Sequence, residues 1–154
     1  MHPEVDRFHK WLLRKRPRSA TVRHYTHDVQ LFFRWLDKAP KDVTVLDVDA
    51  FIEHCQGRGH RIATVNRRLA AVRGLYRFLA LDEPTLPNPV VVERHFIPHG
   101  QRLPRDARDS DVQKLFDVVD DVRDRAIFLL MLRCGLRVGE ICALTLTDIY
   151  LEPT

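Results

Sequence analysis

The chain has 154 residues, 45% of them hydrophobic and 30% charged, the composition of a soluble globular protein able to bury a core. The length allows one ordinary domain or two small ones. No segment is long enough to span a bilayer and the charged start MHPEVDRFHK has no signal-peptide core, so a membrane partner is excluded and a cytoplasmic location is expected.

Net charge is +4 and the pI about 9.2. Residues 1–100 hold 17 Lys and Arg against 11 Asp and Glu, net +6; residues 101–154 hold 8 against 10, net −2. A basic front half suits a polyanionic partner, although a solvated surface gives the same excess. Cys55, Cys134 and Cys142 show no paired metal spacing, and the two later ones, set in apolar helical sequence, read as small buried hydrophobes. A reducing compartment suits them.

Pro3 opens a first helix reaching residue 16, with Val5, Phe8 and Leu12 on one face and Pro17 as its stop. Ser19 caps a second, to about Asp37, whose stripe is Val22, Tyr25, Val29, Phe32, Phe33 and Leu36. At helical spacing Tyr25 and Trp35 read as core, with base stacking as the alternative. His24 and His27 share a face near Asp28, a metal-like pair without a further ligand, and no metal or cofactor is assigned. A short third helix is expected to start at Asp47 as cap, stapled by Leu46, carry Val48, Phe51, Ile52 and Cys55, and end at Gly57-Arg58-Gly59.

The fourth helix, about Ala63 to Leu81, is apolar at Val65, Leu69, Val72, Tyr76 and Leu79. No acidic residue falls between Glu53 and Asp82, whereas Arg58, Arg61, Arg67, Arg68, Arg73 and Arg77 all do. An amphipathic helix needs a polar face but not one without negative charge. Duplex DNA gives that pattern a reason, because neutralising phosphates releases counterions. Asn66 and Arg67 near the helix start are candidates to reach base edges. A solvated basic face is the alternative.

Prolines 84, 87, 89, 98 and 104 forbid a long helix over residues 84–105, which read as a linker, basic through Arg94, His95, His99, Arg102 and Arg105. Asp109 or Ser110 then caps a helix to Val119, and Asp121 to Asp124 begin another. Its apolar run Ala126 to Leu132, between Arg125 and Arg133, reads as a buried helix that Gly135 breaks. Helical spacing resumes at Val138, Ile141, Cys142 and Leu144. Arg137 sits at the junction, where its charge must face a cleft, an acid or an anion, and Glu140 is placed to orient it.

The segment Cys134 to Leu144, CGLRVGEICAL, followed by Leu146 and Thr147-Asp148-Ile149, closely resembles the first-arginine box of the tyrosine recombinases, the phage-integrase family. Ser19-Ala20-Thr21-Val22 with Tyr25, Asp28 and Phe32/Phe33, then Thr64 to Leu69 and Leu75 to Leu79, resemble that family's core-binding domain in the order expected. The resemblance implies a mainly α chain: a four-helix SAM-like core-binding bundle over residues 1–83, a linker over 84–105, and the first helices of an incomplete catalytic domain over 106–154. It implies that Arg137 contacts the scissile phosphate and Glu140 supports it. The planar guanidinium suits two phosphate oxygens as charge gathers in the transition state.

The family's later lysine, His-x-x-Arg segment and tyrosine nucleophile have no matching position, and Tyr150 lies too near the first arginine to be that nucleophile. Phosphotyrosine chemistry needs the attacking hydroxyl and acid–base groups, so the 154 residues alone are expected to be catalytically silent. The leading expectation is a DNA-binding fragment of a site-specific recombinase. The other is a helical protein-interaction module that assembles with, or inhibits, an intact recombinase. The helices from Ser110 to Leu144 are expected to form a marginal, sticky unit beside a stable front domain.

Overall fold

The structure, a computed structural model, describes residues 2–17, 19–98, 100 and 107–149. Every described element is helical, and the chain divides into two compact units, residues 1–101 and 102–154.

In the first unit, α1 (Pro3–Lys15) has Pro3 in its first turn, with Glu4 and Asp6 at its start and Arg14 and Lys15 at its end, as the helix dipole favours. Helix α2 (Ala20–Leu36) starts at Ser19, whose Oγ accepts the Thr21 N–H, and ends where Asp37 turns left-handed. A 3-10 turn at Pro40–Asp42 leads to α3 (Val45–Gly57). Here the expected cap is corrected. Thr44 holds the cap position and Asp47 sits three residues on, in a reciprocal capping box. Leu46 is exposed and staples nothing. Helix α4 (Ile62–Leu79) follows, and a single turn, α5 (Val92–His95), ends the unit's helices.

Helix α4 touches α1, α2 and α3, and its buried side chains Val65, Leu69, Val72 and Tyr76 meet Phe8, Val29, Phe32 and Phe51 in one core. The Tyr76 hydroxyl donates to the Pro40 carbonyl at 2.7 Å, and burial pushes the phenol far above its usual range. Trp35 is half-exposed and stacks on His54, so it belongs to the rim of this core.

Residues 84–98 differ from the linker expected. The prolines do prevent a long helix, but not docking. Val90 and His95 are buried, and Phe96 and Ile97 pack against the core. Polar contacts hold the segment down. Asn88 donates to the Arg73 carbonyl, Arg94 forks onto Asp49, and His95 accepts the Val91 N–H and faces Asp49. His99, Arg102 and Arg105 lie outside the described residues.

In the second unit, α6 (Asp109–Asp117) places Asp109 and Ser110 inside the helix, with Arg108 at its cap, and stops before Val119. Helix α7 (Val122–Cys134) is capped by Asp121, which accepts from Arg123 and Asp124, and Gly135 ends it at φ 67°. Helix α8 (Val138–Ile141) is one turn, followed by a 3-10 turn at Leu146–Asp148. Ile149-Tyr150-Leu151, which reads in sequence as the start of a strand, falls largely outside the described residues.

Burial in this unit is the main correction. None of its described residues is buried. Leu129, Met131 and Leu132 of the apolar run are exposed, as are Cys134 and Cys142, which were expected inside. Two short helices and a turn cannot cover both sides of an apolar helix, so its outer flank stays open. Among the described residues no helix is long and apolar enough to cross a membrane.

Candidate nucleic-acid interface

On α4 the buried positions leave an outward arc of Ala63, Asn66, Arg67, Ala70, Arg73, Gly74 and Arg77, spaced by three and four residues. Three of the predicted arginines therefore share one helix face. Arg58 and Arg61 are exposed at the turn between α3 and α4, near its amino end. The carboxyl end of the arc opens into a cleft where Gly74 and Arg77 meet Lys15 and Arg16 of the α1 terminus and Thr21 and Tyr25 of α2. The cleft brings three cations together beside an aromatic ring. In sequence Lys15 and Arg16 are part of a basic cluster that the dipole favours at a helix end, with no sign that they meet Arg77 or Tyr25.

The arc is not uniformly available. The Asn66 amide donates to the Ile97 carbonyl at 2.8 Å and accepts the Ile97 N–H at 3.0 Å, so both of its polar atoms are engaged within the unit. Arg68 is only 13% exposed; its Nη1 donates to the Cys55 sulfur and its Nε lies 3.9 Å from Asp28. Arg67 places Nη1 2.6 Å from Asp28 Oδ2 yet keeps 40% of its side chain exposed. The two arginines converge on one acid.

That acid was not singled out as a partner in the sequence. Asp28 is fully buried on α2. Burial raises its carboxyl above the ordinary value, opposed by the charges of Arg67 and Arg68 and then of His27 and His24. The available signal was an acid between Tyr25 and Val29, within the apolar stripe of α2 and opposite a helix without acids of its own. Because Asp28 is committed to the arginines, the metal-like reading of His24 and His27 loses its third candidate.

In the second unit Arg137 caps α8. Its backbone N–H donates to Glu140 Oε2 at 2.7 Å and its Nη1 to Oε1 at 3.3 Å. The backbone bond above all, opposed by desolvation and helped by the guanidinium, holds the Glu140 carboxyl below the usual carboxylate range. Arg137 itself is 85% exposed. The clasp uses one guanidinium nitrogen and leaves the rest of the exposed side chain in solvent, where an anionic oxygen can reach it.

Residues 5–83 match the model of the phage integrase N-terminal SAM-like domain, and residues 106–153 match the phage integrase family model. Among curated proteins, tyrosine recombinase XerD of Pseudomonas aeruginosa is 32% identical over 98% of this chain and 53% of its own length. Tyrosine recombinase XerA of Pyrococcus horikoshii is 27% identical over 96% of the chain and 48% of its own. Tyrosine recombinase XerC of Roseiflexus castenholzii is 32% identical over 99% and 52%. The chain thus spans about half the length of the curated relatives it matches.

Proposed function

We propose, from the premise that this chain belongs to the phage integrase family of tyrosine recombinases, that its first unit binds duplex DNA through the outward arc of α4 and the cleft at its carboxyl end. The observation that supports this most is the convergence of Arg77, Lys15 and Arg16 around one cleft, in line with Arg67 and Arg73 on the same helix face. Each cation that displaces condensed counterions adds affinity without reading sequence. Arg58 and Arg61 extend the basic surface past the amino end of α4. Asn66 and Arg68 serve this surface indirectly, by holding segment 92–97 and by balancing Asp28.

Arg137, clasped by Glu140, is the residue of the second unit that contacts a DNA phosphate in the assembled catalytic centre. A single guanidinium stabilises charge but supplies neither nucleophile nor proton transfer, so the 154 residues by themselves bind DNA without exchanging strands. The assembly partner is an intact recombinase or a second copy of this chain.

Titrating a mixed-sequence duplex at several salt concentrations tests this reading. Affinity should fall steeply with salt, and replacing Arg73 and Arg77 by Ala should weaken binding and flatten the salt slope by about two. No binding at low salt would refute it. The exposed Leu129, Met131, Leu132 and Val138 of the second unit favour a second reading, a helical module that docks on another recombinase chain. Capture of an intact recombinase without DNA binding would select it.

A further inference from the structure

We propose that Asp28 is a positioning residue for DNA recognition, holding Arg67 through one guanidinium nitrogen so that the rest of the guanidinium faces the duplex; this rests on the DNA-binding reading above. An acid within the apolar stripe of α2 carries a desolvation cost that an apolar residue of similar size avoids, so its presence calls for a return other than packing. The geometry supplies one. Arg67 Nη1 forms an ion pair with Asp28 Oδ2 at 2.6 Å, without hydrogen-bond alignment, and both that nitrogen and the carboxylate are out of solvent. The exposed 40% of the Arg67 side chain must therefore belong to its remaining atoms.

A free arginine on a helix surface samples many rotamers and loses them on binding. One clamped during folding has already lost them, and its planar fork keeps two donors in a fixed direction. That arrangement suits two oxygens of a phosphate, or the acceptor pair on the edge of a guanine. Arg68 completes the device. With its Nε 3.9 Å from Oδ1, its buried charge keeps the site net positive after Arg67 has been paired. His24 and His27 lie near the same carboxylate and, after the two arginines, oppose the effect of its burial. The carboxylate thus organises the basic surface without cancelling it.

A double-mutant cycle on the full chain tests the role, using anisotropy with a short mixed-sequence DNA duplex and circular dichroism to verify folding. Arg67→Ala should weaken binding about tenfold. Asp28→Asn should weaken it similarly, and the double variant should be no weaker than Arg67→Ala alone. Asp28→Asn binding as wild type or tighter, or a double variant showing the product of both losses, would overturn the proposal. Should Asp28→Asn not fold, Arg67→Lys decides, since lysine keeps the charge but has no planar fork. Affinity near that of Arg67→Ala supports positioning, and wild-type affinity refutes it. Loss of binding on changing Arg73 and Arg77 but not Arg67 would sink the Asp28 role and leave the DNA reading standing; absence of binding in every form removes both.

Discussion

The side-chain amide of Asn66 closes a two-bond ring with the backbone of Ile97, 31 residues on in sequence, donating to its carbonyl and accepting its N–H. The ring joins α4 to the segment after α5, and it occupies the atoms through which Asn66 would otherwise read a base. Replacing Asn66 by Ala leaves both Ile97 groups without their partner, at a cost of about 1–3 kcal/mol. The expected result is a lower urea midpoint together with faster amide exchange over residues 90–97. An unchanged midpoint would mean that the segment is held by packing alone.

The two units differ in burial, and chemistry should register it. Cys55 is buried and packs beside Arg68, whereas Cys134 and Cys142 are exposed. In the native protein a thiol reagent should modify the latter two quickly and Cys55 only on unfolding. Hydrogen exchange should likewise show durable protection in α1 to α4 and little in α6 to α8. Equal protection in both units, or early reaction of Cys55, would contradict the burial described.

Gly74 lies mid-helix on the outward arc, where a built Cβ would meet Phe8 at 3.5 Å and Tyr25 at 3.9 Å, ordinary contact distances. Its helical backbone is open to any residue, so no close approach requires glycine there. Gly74→Ala should raise stability by about 0.5–1 kcal/mol through the unfolded chain's lost freedom. A lower melting temperature would show that the α1–α4 contact cannot yield even slightly.

Much of this fold was legible because its signals are local. Pro3, Ser19, Asp121 and Gly135 mark helix ends through chemistry confined to a turn, and the apolar stripes of α2 and α4 name most of the core. The density of the Cys134–Leu144 box made the family visible from one stretch. Nonlocal pairings were not legible. Nothing near Asn66 announces Ile97, and nothing near Arg67 announces Asp28, since each partner arrives from another element. Burial of the Ala126–Leu132 run was misjudged for the opposite reason: periodicity reports that a helix has an apolar surface, not whether enough neighbours exist to cover it.

Acid should open the clasp at Arg137. The Glu140 carboxyl is held low mainly by the Arg137 backbone N–H, so its folded value lies below the unfolded one. The clasp therefore contributes fully above that unfolded value and is lost as pH falls through the folded one. A carbon-detected titration should place the Glu140 midpoint below that of a free glutamate. Arg137→Ala should bring it only part of the way back, because the backbone bond survives. A midpoint at the ordinary value would mean the clasp does not form in solution.

The outward arc of α4, with the cleft formed by Lys15, Arg16 and Arg77, is the surface proposed to meet DNA. Chemical-shift mapping on the isotope-labelled chain with a mixed-sequence duplex tests it most directly. Perturbations should gather at Arg58, Arg61, Arg67, Arg73, Arg77 and the α1–α2 junction, and spare the acidic side chains Asp49 and Glu53 of α3. A duplex that leaves these arginines unmoved, or that perturbs the α3 surface instead, contradicts the proposal.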